Sequence, residues 1–171
     1  MQKTMTGRIG TGAAALALCL LAPVPSIQAN GPSKARPNTF GQPDCATAKS
    51  TPVASFPFNP FLLSELSPPV IQPAGAWRAE LQTTGLGSGV AYLIAARRPA
   101  FLPTQGGMLL VDPADARILA GVPFQRGQAV RFSLPIPNRE RLCSHRIRVQ
   151  AVILSPGETY LTNAFDLTLG R

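Results

Sequence analysis

The chain has 171 residues, with 16 Lys and Arg against 8 Asp and Glu and a formal charge of +8. A basic balance of that size directs a protein toward anionic surfaces such as lipid headgroups, acidic polysaccharide or extracellular DNA. Biased codon usage that places Arg where another protein has Lys accounts for the same count. A single His, with two of the three Cys expected to be oxidised to each other, makes no persuasive zinc site, which needs three or four convergent ligands.

Residues 1–29 read as a secretory signal peptide. Lys3 and Arg8 form a positive start, residues 9–22 are an Ala- and Leu-rich apolar run, and Pro23 and Pro25 break it before a cleavage site at Ala29. The run is about 14 residues, where a spanning helix needs roughly 20, so no transmembrane anchor is expected in the mature form. Cys19 resembles a lipoprotein cysteine, but Leu18 stands where a small residue is needed. Removing Lys3 and Arg8 takes the formal charge from +8 to +6. The expected location is secreted, either periplasmic or extracellular.

Residues 30–69 are expected to be a Pro-rich tail, because Pro32, Pro37, Pro43, Pro52, Pro57, Pro60, Pro68 and Pro69 oppose any long helix or central strand. Phe56, Phe58, Phe61, Leu62 and Leu63 are too apolar for a free linker. They form either a flap docked on the domain or a patch for a partner. Cys45 and Cys143 remain after the leader is removed. In an oxidising compartment an even pair is most simply one disulfide, the alternative being two free buried thiols. A bond closing about 100 residues is worth roughly 4–5 kcal/mol by chain entropy.

From residue 70 the pattern is that of strands. Trp77, Ala79, Leu81 and Thr83 alternate with polar residues, and a Gly-rich turn at 85–89 leads into a second strand at 90–96. That Gly-x-Gly-x-Gly lacks the helix a nucleotide-binding loop would open. Residues 97–107 are expected as loop, 108–111 as a short buried strand and 118–120 as another. Val130, Phe132 and Leu134 mark a further strand, residues 139–142 one turn of helix at most, and 160–165 and 167–169 the last strands. The central strand is expected over 143–154, with Ile147, Val149, Ala151 and Ile153 inward and Arg146, Arg148 and Gln150 outward. Val152 and Leu154 predict that its far end is covered on both sides. Together these predict an all-β antiparallel sandwich, Ig-like or jelly-roll-like, of about seven or eight strands over residues 70–171.

The ordered motifs GGMLLVDP (106–113), LPIPN (134–138), VQAVILSP (149–156) and LTNAFDLTLG (161–170), with FGQPDC at 40–45, carry a resemblance. The set resembles an uncharacterised family of bacterial secreted β-sandwich domains, common at the C-termini of exported planctomycete-like proteins. The resemblance implies a β-sandwich, export, and structural or recognition duty, with no catalytic residue to transfer. The family often has a Cys just before its LLVDP strand, where this chain has Gly107, so the resemblance implies Cys143 as a replacement partner for Cys45 and leaves the pairing itself open.

The residues define no reaction. His145 has no Gly-x-Ser-x-Gly elbow to serve. Asp112 and Asp115 suit a turn cap better than a calcium site, which takes six to eight oxygens. Asn163 is expected to bond neighbouring backbone at a bulge. No cofactor and no metal are expected. The candidate anion-binding residues are Arg131, Arg139, Arg141, Arg146 and Arg148, which form a positive stripe if Arg131 lies on a neighbouring strand. They lack the interleaved aromatics of a nucleic-acid surface, so no specific nucleic acid is expected. The expectation is a non-catalytic module at the cell envelope or on anionic extracellular polymers. The alternatives are a small hydrolase or lyase using Asp112, Asp115, Glu140, Asp166 and His145, or a subunit binding another exported protein.

Overall fold

The computed structural model describes residues 45–53 and 57–171. The leader, with Cys19 and its cleavage site, the first part of the Pro-rich stretch and Phe56 lie outside the described residues. The described residues form ten strands: β1 (Lys49–Val53), β2 (Leu63–Ser67), β3 (Ala76–Leu81), β4 (Gly89–Ala96), β5 (Pro99–Thr104), β6 (Gly107–Val111), β7 (Arg117–Phe124), β8 (Val130–Pro135), β9 (Arg146–Ser155) and β10 (Glu158–Thr168). One 3-10 turn occupies Glu140–Leu142. Among the described residues no helix is long and apolar enough to cross a membrane.

The fold is an antiparallel β-sandwich. One sheet has five strands in the order β1-β10-β9-β4-β7, the other three in the order β2-β3-β8, and β5 and β6 form a separate hairpin. β9 is the middle strand of the larger sheet, as its alternation predicts. Val149, Ala151 and Ile153 are fully buried and Ile147 packs at the core's edge. From the smaller sheet, Trp77, Ala79, Leu81, Val130, Phe132 and Leu63 close the core. Trp77 bridges the two sheets edge-on to Phe165, with ring centroids 6.0 Å apart, and its Nε1–H donates to Glu65 Oε1 at 3.0 Å. An indole of that size buries enough apolar surface to contribute roughly 4–6 kcal/mol.

Strands appear where prolines predicted none. Pro52 lies in β1 and Pro99 and Pro103 in β5, so residues 49–67 and 99–104 add strands to the seven or eight expected, and the sandwich begins ahead of residue 70. The reason is position. β1 and β2 are sheet edges and β5 belongs to a two-stranded ribbon, where a missing N–H need not interrupt a ladder. Phe61 and Leu63 turn inward, Phe61 packing edge-on to Tyr160 at 5.0 Å, while Phe58 and Leu62 are exposed.

The covering of β9 also differs from expectation. Leu154 is 42% exposed, whereas Gln150, on the same outer face, is 0% exposed. The β5–β6 hairpin crosses that face, and polar bonds hold it there. Gln150 accepts from Leu110 N–H at 2.9 Å and donates to Met108 O at 2.9 Å and Thr162 O at 2.8 Å. Asn59 reaches the same two carbonyls and accepts from Met108 N–H at 2.6 Å. A buried amide must find partners, so Gln150 selects the covering element where apolarity does not.

β10 runs unbroken where two strands were expected, with a register shift between Leu161 and Ala164. The bulge is the one at which Asn163 was expected to bond backbone. Its amide accepts from Leu63 N–H at 2.6 Å and donates to Leu63 O at 3.1 Å, linking β10 to β2 of the other sheet.

Candidate functional site

Three strand ends meet at one edge of the larger sheet's outer face. The β1–β10 and β10–β9 registers align Lys49 with Thr168 and Arg146, and Thr51 with Asp166 and Arg148. Directly paired residues share a face, so these six side chains form two short rows on the same side. Arg97, just past the end of β4, and Pro99 of β5 complete an open cleft of about 410 Å³. Four cations line it, and Asp166 is the carboxylate in its wall.

The four cations differ in state. Arg148 is anchored: its Nε and a terminal nitrogen donate to the two Asp166 oxygens at 2.6 and 2.8 Å, and its other nitrogen reaches Leu110 O at 3.4 Å. Its side chain is only 10% exposed. A bidentate pair with a mostly buried guanidinium fixes geometry and leaves little net charge. Arg97 pairs at longer range, 3.5 Å from Asp115, and is itself well exposed. The Arg97 backbone N–H donates to Asp115 at 2.9 Å, and this bond, followed by the Arg97 guanidinium, holds the Asp115 carboxyl below its ordinary value. Lys49 and Arg146 have no carboxylate partner among the described residues.

The disulfide joins the strands that carry these two cations. Cys45 and Cys143 are bonded, with Cα atoms 5.3 Å apart. Cys45 precedes β1 and Lys49, and Cys143 precedes β9 and Arg146. Ala46 N–H donates to Ser144 Oγ at 3.2 Å beside the bond, and Arg171 N–H to Ala46 O at 3.1 Å.

Of the five arginines nominated from sequence, only Arg146 and Arg148 lie in this cleft. Arg131 does not extend their stripe. It sits on β8 in the other sheet, opposite Glu80, whose Oε2 accepts from its Nε at 2.8 Å. Arg139 and Arg141 flank and occupy the 3-10 turn, exposed and outside the cleft lining. Lys49 and Arg97 were not foreseen. Lys49 lies in the stretch that its prolines mark as a tail, and Arg97 follows a readable strand but joins the site only through the β4–β9 pairing.

The remaining candidates are dispersed. Asp112 caps its turn, accepting from Ala114 N–H at 2.9 Å, and pairs with Arg98 at 3.1 Å. His145 is exposed just ahead of β9. Glu140 lies on the 3-10 turn, 3.4 Å from Arg171. Gly107, where the resemblance would place a Cys, has φ of 126°, and a Cβ there would collide with Asn59 Oδ1. Backbone of that kind excludes ordinary side chains without rearrangement. No family model, curated protein or solved structure matches the chain.

Proposed function

We propose that this protein is a secreted, non-catalytic β-sandwich module that holds an anionic polymer of the cell envelope or extracellular matrix in the basic cleft. The observation that carries the reading is the convergence of Lys49, Arg97 and Arg146, from three distant chain segments, beside an Arg148 already neutralised by Asp166. Asp166 then holds Arg148 in place, and the exposed cations take the ligand's negative charge. Export is supported by the leader-like residues 1–29, by a disulfide of the sort that persists in oxidising compartments, and by the resemblance to exported bacterial domains. A hydrolase or lyase reading is less well supported, because the carboxylate lining the cleft is committed to Arg148.

A second reading has its own observation. Phe58 and Leu62 are 59% and 61% exposed beside the docked Phe61 and Leu63, which favours contact with another exported protein.

The test is binding of the purified, disulfide-bonded protein to acidic polysaccharide, lipopolysaccharide and DNA at low and physiological salt. At physiological ionic strength exposed charges are screened beyond about 8 Å, so only a converging site retains affinity. The expected result is binding that survives physiological salt and falls at least about tenfold in a Lys49→Gln/Arg146→Gln variant. Weak binding to every polyanion, lost at physiological salt and indifferent to the double replacement, would sink the cleft and leave the Phe58–Leu62 surface to be tested with Phe58→Ser/Leu62→Ser.

A further inference from the structure

The cleft has an aromatic neighbour that charge alone does not require. Pro99 of β5 forms part of its wall, and Phe101, two residues along, holds its ring 5.7 Å from Arg148 Cζ. Asp166 keeps that guanidinium in place, and the guanidinium favours the ring's π face, which orients the ring. Phe101 is nevertheless 65% exposed, so much of its surface meets solvent at a position joined to the cleft through Arg148.

Building on the anion-binding reading above, we infer that the ligand is an acidic sugar, a uronic-acid residue of a polysaccharide. Phe101 is its stacking platform, and Lys49 and Arg146 are its carboxylate partners. Three features favour a sugar over a phosphate polymer. Thr51 and Thr168 line the cleft, and a Thr hydroxyl both donates and accepts, as sugar hydroxyls do. Asp166 is half exposed, and a carboxylate accepts more than the two bonds it gives Arg148, so it takes hydroxyl donors. A phosphodiester backbone has no donor to offer and would be repelled. The exposed ring supplies an apolar surface for the C–H face of a pyranose. The volume of about 410 Å³ lies within the range of small-ligand sites, roughly 300–1,000 Å³.

The experiment titrates the full protein at physiological salt with a galacturonic acid oligomer, its methyl ester, polyglutamate of equal charge, and polyphosphate. The acid oligomer should bind at least about tenfold tighter than the ester or polyglutamate, and Phe101→Ala should remove about that factor. Phe101→Ala should leave polyphosphate binding unchanged, and Phe101→Tyr should restore uronate binding. Because Phe101 is exposed, its truncation leaves the core intact. Equal affinity for uronate and polyglutamate, no effect of Phe101→Ala, or an equal loss toward polyphosphate would each overturn the sugar assignment. Those results leave the anion cleft standing if Lys49→Gln/Arg146→Gln still weakens polyanion binding. If that double variant changes no ligand's affinity, the cleft and the sugar assignment fall together.

Discussion

Arg146 and Arg148 are two residues apart on one strand face, yet they have opposite physical roles. Arg146 is exposed and has no carboxylate partner among the described residues, whereas Arg148 is desolvated and held by both oxygens of Asp166. Asp166→Asn separates the roles because it preserves volume and removes one negative charge. We expect the variant to be about 1–3 kcal/mol less stable in a urea melt, since a mostly buried guanidinium loses its charged acceptor. Its affinity for polyphosphate should nevertheless rise severalfold, as the cleft becomes more positive. Stability and affinity moving in the same direction would contradict the assignment of Asp166 as scaffold. The alternation of Ile147, Val149, Ala151 and Ile153 made the two arginines' shared face legible in sequence. Their different states were not legible, because Asp166 reaches Arg148 only through the β9–β10 register.

The β5–β6 hairpin is held to the larger sheet by amide groups rather than by apolar packing alone. Asn59 also bonds Met108 O and Thr162 O, so truncating Gln150 leaves Leu110 N–H as the group without its partner. Gln150→Ala should therefore cost about 1–3 kcal/mol for that orphaned donor. Amide exchange should accelerate first at Leu110 and along β6, ahead of β9 and β10. Uniform acceleration across both sheets would show that the hairpin is not a separate cooperative unit. Sequence reading recovered β6 from its apolar run and missed β5, because Pro99 and Pro103 signal a break in a central strand and are tolerated in a ribbon edge. The same misreading hid β1, and with it Lys49.

The disulfide couples stability to the proposed site. It closes a separation of 98 residues, for which chain entropy assigns roughly 4–5 kcal/mol. It also ties together the segments that lead into β1 and β9, on either side of β10, and so helps hold Lys49 and Arg146 at one cleft. Reduction, or Cys45→Ser/Cys143→Ser, should lower the denaturation midpoint by a corresponding amount. Polyanion affinity should fall at denaturant-free conditions, even while the core signal of Trp77 persists. Retained affinity with β1 detached would show that Lys49 is dispensable.

Period-two alternation and turn residues were enough to specify an all-β sandwich with a β9-like strand at its centre, because one buried face imposes that pattern on any half-covered strand. The even count of cysteines left after the expected leader was enough to suggest their pairing. Which strands form edges, which face the hairpin covers and which cations meet were decided by tertiary structure. Edge position relaxes the rule against proline, and Gln150 and Asn59 choose their covering element by hydrogen bonding. Lys49, Arg97 and Arg146 are far apart in the chain, and only strand register brings like charges together against their mutual repulsion.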